Sequence, residues 1–268
     1  MVAGEGVQLG LASELYHSIQ GILLHVFLRA WSWSADFITV RIQYPLHRII
    51  PEFRIHPCLT NELKINMTVP DRSTFESAYT GKAPWDIGRP QKALLDVADQ
   101  ITGSILDAGC GTGENALFFA KRGHKVTGID FLAEPISRAK KKAAERGLTA
   151  TFLVMDALAL KDLPEVFDAV IDCGLFHVFS DDDRRRYVDG LATVLKPGGK
   201  LFLLCFSDDE PGTQGPRRVS EKEIRDTFAQ GWRIESIEPT RFEVRPDLKD
   251  ISFSEGGPKA WFVVVRRT

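Results

Sequence analysis

Cysteine is scarce in this 268-residue chain, and the four present are scattered. Cys58, Cys110, Cys173 and Cys205 form no CxxC pair, which argues against a disulfide framework or a zinc site and for a reducing, cytoplasmic setting. An excess of one charge is missing too: 34 Lys and Arg face 36 Asp and Glu, a net charge of -2. That balance gives no electrostatic footprint for nucleic acid or an anionic membrane. No apolar run reaches the length of a membrane span. The nearest, GILLHVFLRAW (Gly21–Trp31), is broken by His25 and Arg29 and lacks the basic start and small-residue cleavage site of a secretory signal. Internal repeats and low-complexity tracts are absent. No His, Cys, Asp or Glu cluster has ligand spacing, so no metal is expected.

What is present is uneven along the chain. Residues 1–66 hold four of the six histidines (His17, His25, His47, His56) and two of the five tryptophans, and their apolar residues keep no sustained period. This segment is expected to be an N-terminal extension, either poorly ordered or translated upstream sequence. In the second case Met67 is the biological start, and residues 67–268 form one domain.

From Met67 onward, strands and helices alternate. SILDAG (Ser104–Gly109), KVTGID (Lys125–Asp130), ATFLVMDA (150–157), FDAVIDCG (Phe167–Gly174) and KLFLLCF (200–206) read as buried strands. Between them, ENALFFAKRG, EPISRAKKKAAERG and SDDDRRRYVDGLATVL read as helices, with Pro135 in a first turn and Gly123 at a helix end. Asp181, Asp182 and Asp183 each precede an arginine by three residues at a helix start. SEKE (Ser220–Glu223) is a capping box. WRIESIEP and AWFVVVRR close the chain as two strands with no helix between them, hence an antiparallel pair. The expected fold class is α/β: a Rossmann-like, doubly wound, seven-stranded sheet, mostly parallel with the last strand antiparallel.

The stretch DAGCGTGEN (Asp107–Asn115) follows the first strand, at the sheet edge where such folds bind ligands. Gly111, Gly113 and Ala116 satisfy G-x-G-x-x-A, and Asp130 lies at a plausible distance for a ribose carboxylate, so a dinucleotide is one reading. Against it, a pyrophosphate would meet Asp107 and Glu114 with no Lys or Arg close by in sequence. Asp156 adds a third carboxylate on the same rim. S-adenosylmethionine has no phosphate and carries a sulfonium and an ammonium, so acidic neighbours suit it.

The segment from about Ser104 to Phe206 resembles a class I S-adenosylmethionine-dependent methyltransferase. ILDAGCGTGENALFFAKRGHKVTGIDF is similar to that family's first two motifs, MDAL to its third, and LKPGGKLFL to the lead into its fifth strand. The resemblance implies that Asp107, Gly109 and Gly111 shape the pocket for the methionine moiety, with Gly113 opening the helix. It also implies that Asp130 binds the ribose hydroxyls, Phe131 packs on adenine, and Asp156 and Ala157 meet the adenine edge. Asp172 and Cys173 would line the methionine end, and Cys110 the pocket wall. For Asp130, a turn or capping aspartate is the other reading.

Methyl transfer from a sulfonium needs alignment more than proton chemistry. A lid and at most one base are therefore expected. The lid segment is FESAYTGKAPWDIGRPQ (Phe75–Gln91), in which Trp85 could stack on a cation or an aromatic acceptor. PWDIGR resembles the amino-terminal motif of thiol and halide methyltransferases; the longer pattern is similar to mycobacterial hydroxyquinolone and related heterocycle methyltransferases. DCGLFHVF (Asp172–Phe179) is similar to the same group. His177 is the candidate base and Tyr79 a candidate for orienting an acceptor hydroxyl. Phe176, Phe179 and Phe206 are expected to make the acceptor pocket apolar, and the loop Ser207–Val219 to close over it. The expected activity is methylation of a small molecule on a ring hydroxyl, ring nitrogen or thiol, without metal. A monomer or weak homodimer is expected, with no nucleic-acid or membrane partner. A thiol, halide or metalloid methyltransferase is the alternative enzyme, and an S-adenosylmethionine-binding regulatory domain the non-enzyme one.

Overall fold

The protein is described from a computed structural model. It covers residues 72–81, 83–247 and 253–268; the expectations for residues 1–66 fall outside this range. Seven strands, β1 (Ser104–Ala108), β2 (Lys125–Asp130), β3 (Thr151–Val154), β4 (Phe167–Cys173), β5 (Leu195–Phe206), β6 (Trp232–Arg241) and β7 (Lys259–Arg267), form one sheet. Its order is β3-β2-β1-β4-β5-β7-β6. Strands β1 to β5 pair in parallel, whereas β7 is antiparallel to both β5 and β6. The doubly wound sheet expected from the sequence is present, with its antiparallel final strand.

Alternation sorts the strand residues onto two cores. Leu106, Val170, Leu201 and Leu203 face one side; Ile105, Ala169, Ile171, Phe202 and Leu204 face the other. Because both faces are covered, the strands read as unbroken apolar runs rather than alternating ones. Among the described residues, six α-helices accompany the sheet: α1 (Arg72–Thr80), α2 (Lys92–Asp96), α3 (Glu114–Lys121), α4 (Ala133–Glu145), α5 (Asp181–Val194) and α6 (Glu221–Thr227). The strand order reverses between β1 and β4, so their carboxyl ends bound the crevice where ligands bind in such sheets.

Two local features refine the sequence reading. KPGG lies inside the bounds of β5 and interrupts its pairing: Leu195 pairs with Phe167, the chain turns at Gly198 with φ 79°, and pairing resumes at Lys200 with Ala169. The acidic start of α5 is not a uniform ladder. Arg185 and Arg186 pair with Asp182 and Asp183, but Arg184 turns inward and Asp181 pairs with Arg217 instead. Ser180 caps this helix by accepting from Asp183 N–H, and the Ser220–Glu223 capping box opens α6 as expected. No helix among the described residues is long and apolar enough to cross a membrane.

Candidate active site

The glycine turn leaves β1 and enters α3. Gly109, Gly111 and Gly113 all have positive φ, of 69°, 52° and 84°. Two of these glycines are required for different reasons. A Cβ on Gly111 would lie 2.8 Å from the Tyr79 hydroxyl oxygen, so that glycine admits a side chain from the amino-terminal segment. A Cβ on Gly113 would lie 2.8 Å from Ala139 Cβ, so that glycine lets α3 pack on α4. Cys110 points down into the sheet: its Sγ would be 2.9 Å from a Cβ on Gly128.

Three carboxylates gather at the strand ends. Asp107 Oδ2 accepts from Ala116 N–H at 3.0 Å, which ties β1 to the first turn of α3. Asp172, at the end of β4, is fully buried beside the Tyr187 hydroxyl. Burial pushes Asp107 up to about 7, with Asp172 and Asp130 adding to the rise and the Ala116 and Asn115 hydrogen bonds opposing it. Burial likewise pushes Asp172 up to about 6, against hydrogen bonds from Leu175 and Phe176 N–H and from the Tyr187 hydroxyl. Asp130 accepts from Gly111 N–H at 3.1 Å and Leu132 N–H at 3.0 Å, one bond to each oxygen. It is both a turn aspartate and a carboxylate at a strand end, with lone pairs left on each oxygen.

These atoms fit a cation. Three carboxylates buried close together at the strand ends favour a cation, and an ammonium supplies three donors. Glu114, counted above against a pyrophosphate, plays no part: it is neutralised outside the turn by Lys142 at 2.7 Å and Arg146 at 2.9 Å. Asp172, buried at the end of β4, adds its charge to that of Asp107 instead.

On the adenosine side, Phe131 packs edge-on to Phe75 at 5.6 Å and has the Arg72 guanidinium 5.3 Å over its ring. Asp156 Oδ1 caps the short 3-10 turn 157–162 by accepting from Leu158 N–H, while the residue itself is exposed. Ala157 is buried beside it.

The segment Phe75–Gln91 runs over this region, held by bonds within it and to the rest of the domain. Trp85 Nε1 donates to the Tyr79 hydroxyl at 3.1 Å, and Thr112 in the glycine turn donates to Asp86 at 3.0 Å. Arg89 makes a two-pronged pair with Glu243, both bonds 2.7 Å. Trp85 is not a core residue, being 44% exposed. Tyr79 is buried over the glycine turn, so it stands with the cofactor carboxylates; burial and Asp130 push its hydroxyl well above the usual phenol range.

His177 lies past the end of β4, in a 3-10 turn (Phe176–Val178). Its Nδ1 accepts from Phe206 N–H at 3.0 Å. The ring packs edge-on against Phe206 at 5.3 Å and Phe242 at 5.9 Å. Burial, with Arg184 and Arg218 nearby, pushes its pKa down to about 3, the wrong direction for a base working at neutral pH. Phe253 completes the cluster at 5.7 Å from Phe206.

Of the three phenylalanines assigned to the acceptor pocket, only Phe206 packs with His177, and it too is buried, in the second core. Phe176 stacks on Phe228 at 5.9 Å, and Phe179 packs on Tyr187 at 5.0 Å, both in the core. Phe242 and Phe253 were not foreseen; both lie between β6 and β7, where no local pattern marks them. Cys173 is half-buried beside the cluster, and burial raises its thiol far above the nucleophilic range.

The loop Ser207–Val219 is fastened rather than free. Arg218 donates to the backbone carbonyls of Glu210, Pro211, Gly212, Gln214 and Pro216 and lies 5.2 Å over the Phe206 ring. The Glu210 carboxylate accepts from Ser254 N–H at 3.0 Å and Lys259 N–H at 2.8 Å.

Comparison with known proteins agrees with this arrangement. Residues 105–199 match the family described as "Methyltransferase domain". The 2-heptyl-1-hydroxyquinolin-4(1H)-one methyltransferase of Mycobacteroides abscessus is 36% identical over 204 residues, 71% of this chain and 88% of that protein. Probable thiol methyltransferase 2 of Arabidopsis thaliana is 30% identical over 177 residues, 64% of this chain and 78% of that one. A solved structure described as "Conversion of a Disulfide Bond into a Thioacetal Group during Echinomycin Biosynthesis" aligns with a TM-score of 0.64 and 38% identity, over 73% of this chain and 92% of that chain. Carboxylates placed for a cation, the seven-stranded sheet and these similarities converge: the chain belongs to the class I S-adenosylmethionine-dependent methyltransferases.

Proposed function

We propose that the protein transfers the methyl group of S-adenosylmethionine to a small acceptor, at an aromatic or heterocyclic hydroxyl, a ring nitrogen or a thiol. The observation that carries this reading is the buried aromatic cluster of His177, Phe206, Phe242 and Phe253, next to Cys173 at the end of β4. In this reading a small planar acceptor docks beside that cluster, near the strand-end carboxylates that suit the sulfonium. The similarity to a hydroxyquinolone methyltransferase and to a thiol methyltransferase supports the same acceptor classes.

In this reading Asp130 holds the ribose hydroxyls, and Phe131, Asp156 and Ala157 flank the adenine. Asp107, Gly109, Gly111, Tyr79 and Asp172 surround the amino-acid end. Cys110, Gly113 and Cys173 shape the walls, and Trp85 covers the crevice. The cofactor supplies an activated methyl group; the chain supplies alignment, exclusion of water and electrostatic match. The described free cysteines, Cys110, Cys173 and Cys205, favour a cytoplasmic setting, and a monomer or weak homodimer remains our reading of assembly.

The test is S-adenosylhomocysteine release with a hydroxyquinolone, compared with hydrosulfide and iodide. Turnover of the hydroxyquinolone is expected. Turnover of the soft anions alone would favour the thiol or halide reading, for which the exposed Trp85 is the supporting observation. Cofactor binding with no turnover of any acceptor would leave a binding domain.

A further inference from the structure

The segment Phe75–Gln91 ends in a buried clasp that the chemistry of methyl transfer does not use. Gln91, just ahead of α2, is 5% exposed, and its side chain makes no cap bond to that helix. Its amide turns instead to the main chain of Glu243, far along the sequence. Nε2 donates to the Glu243 carbonyl at 2.8 Å, and Oε1 accepts from Glu243 N–H at 2.7 Å. A carboxamide carries a donor and an acceptor side by side; an ionised glutamate of the same shape has acceptors alone. The Glu243 carboxylate is taken by Arg89 and by Lys92 N–H. Every polar group of Glu243 therefore points to residues 89–92.

On one side of the clasp, immediately before Glu243, stands Phe242. Its N–H donates to the Pro258 carbonyl at 2.9 Å, and its ring packs on Phe206 at 5.1 Å and on His177 at 5.9 Å. On the other side, Asp86 accepts from Thr112 in the glycine turn, and Thr112 accepts from Lys142 at 2.7 Å. Arg245 N–H adds a bond to the Pro84 carbonyl at 3.3 Å. Residues 86–91 are thus a strap with one end on the cofactor turn and the other on the backbone that carries Phe242. The two ends differ in kind. The Asp86 end is a single bond from a hydroxyl to a half-buried carboxylate. The Gln91 end is buried and two-way, and losing the amide would strand both a main-chain donor and a main-chain acceptor. The Arg89–Glu243 pair over it is partly exposed, so screening limits its share.

We propose that Gln91 is a positioning residue for methyl transfer: through the main chain of Glu243 it fixes Phe242 relative to the segment Phe75–Gln91, and so sets the space in which the acceptor docks. Gln91 acts through Glu243 and Phe242 rather than on the reacting atoms. The inference rests on the small-molecule methyl-transfer reading, which places the acceptor beside the cluster that holds Phe242. Its consequence is a split between the two substrates. Acceptor capture depends on Gln91, whereas the cofactor, held by the glycine turn and the strand-end carboxylates, depends on it little.

The experiment compares the full wild-type chain with Gln91→Met and Gln91→Glu, using a 1-hydroxyquinolin-4-one as acceptor. Calorimetry gives Kd for S-adenosylhomocysteine, steady-state kinetics give KM and kcat/KM for the acceptor, and hydrogen exchange reads residues 84–91 and 242–247. Gln91→Met should lower acceptor kcat/KM by about ten- to hundredfold, chiefly through KM, and change the cofactor Kd by less than about fivefold. Exchange should quicken in both clasped segments and stay slow at the glycine turn. Gln91→Glu should lose as much at about pH 8.5 and recover relative to the wild type as the pH falls, because a protonated carboxyl donates to the Glu243 carbonyl as the amide does. The ratio of variant to wild type cancels the pH dependence that the two share. Equal losses of cofactor affinity and acceptor kcat/KM would overturn the proposal and leave Gln91 a residue of the fold alone. So would unchanged exchange at 242–247, or quickened exchange with unchanged acceptor kinetics. Should Gln91→Met fail to fold, a flat Gln91→Glu ratio against pH would sink the proposal by itself. A wild type that binds S-adenosylhomocysteine and turns over no acceptor would overturn the methyl-transfer reading, and this inference with it; turnover without the split overturns the inference alone.

Discussion

At the scale of single residues, the site is built from groups whose roles depend on what their second atom does. Asp130 spends one lone pair of each oxygen on a backbone N–H and keeps the rest for a ligand. Asp130→Ala should weaken S-adenosylhomocysteine binding at least about tenfold, or about 1.4 kcal/mol, by calorimetry; unchanged affinity would sink the ribose assignment. Residue identity at DAGCGTGEN, ID and MDA was legible because those motifs are contiguous. The phenylalanines were not. Phe176 and Phe206 look alike in sequence, yet they are buried in different cores on opposite faces of the sheet, and only Phe206 packs on His177, a distinction set by strand register and turn geometry. His177 shows the same limit: its place near a strand end could be read, but the Phe206 N–H that occupies Nδ1 comes from β5.

At the scale of elements, the amino-terminal segment and the loop after β5 are both held by bonds between parts distant in sequence. Glu243 binds Arg89 through both oxygens and also accepts from Lys92 N–H at 2.9 Å. Since the pair is partly exposed, screening limits its worth. Glu243→Ala should reduce cofactor affinity only by roughly two- to fivefold and leave the unfolding midpoint nearly unchanged; a large loss of stability instead would mean that Glu243 holds the domain together. Gly113 belongs to the packing of α3 on α4. Gly113→Ala adds a clash to a left-handed conformation and should destabilise the protein by about 1–3 kcal/mol in urea unfolding. A loss confined to cofactor binding would assign Gly113 to the ligand instead.

At the scale of the whole molecule, the arrangement couples cofactor binding to protons. Asp107 and Asp172 are held up to about 7 and 6 by burial, so each tends to be neutral on the acid side and charged above. A neutral carboxyl does not attract an ammonium. Raising the pH from 5 to 7.5 ionises the pair, and S-adenosylhomocysteine affinity should rise by about tenfold or more over that window. Asp172→Asn should flatten the rise; a pH-independent affinity in the wild type would show that the pair does not hold the ammonium. The alternation of strand and helix, the helix caps, the glycine turn and the cofactor class were determined by the sequence alone, since each depends on periodicity or on residues within a few positions of one another. The tertiary structure decided the rest: the pairing of Glu114 with α4, the turning inward of Arg184, and the gathering of Phe242 and Phe253 around His177. Those contacts join residues tens of positions apart or depend on which way a side chain turns, and only the folded chain brings them within reach.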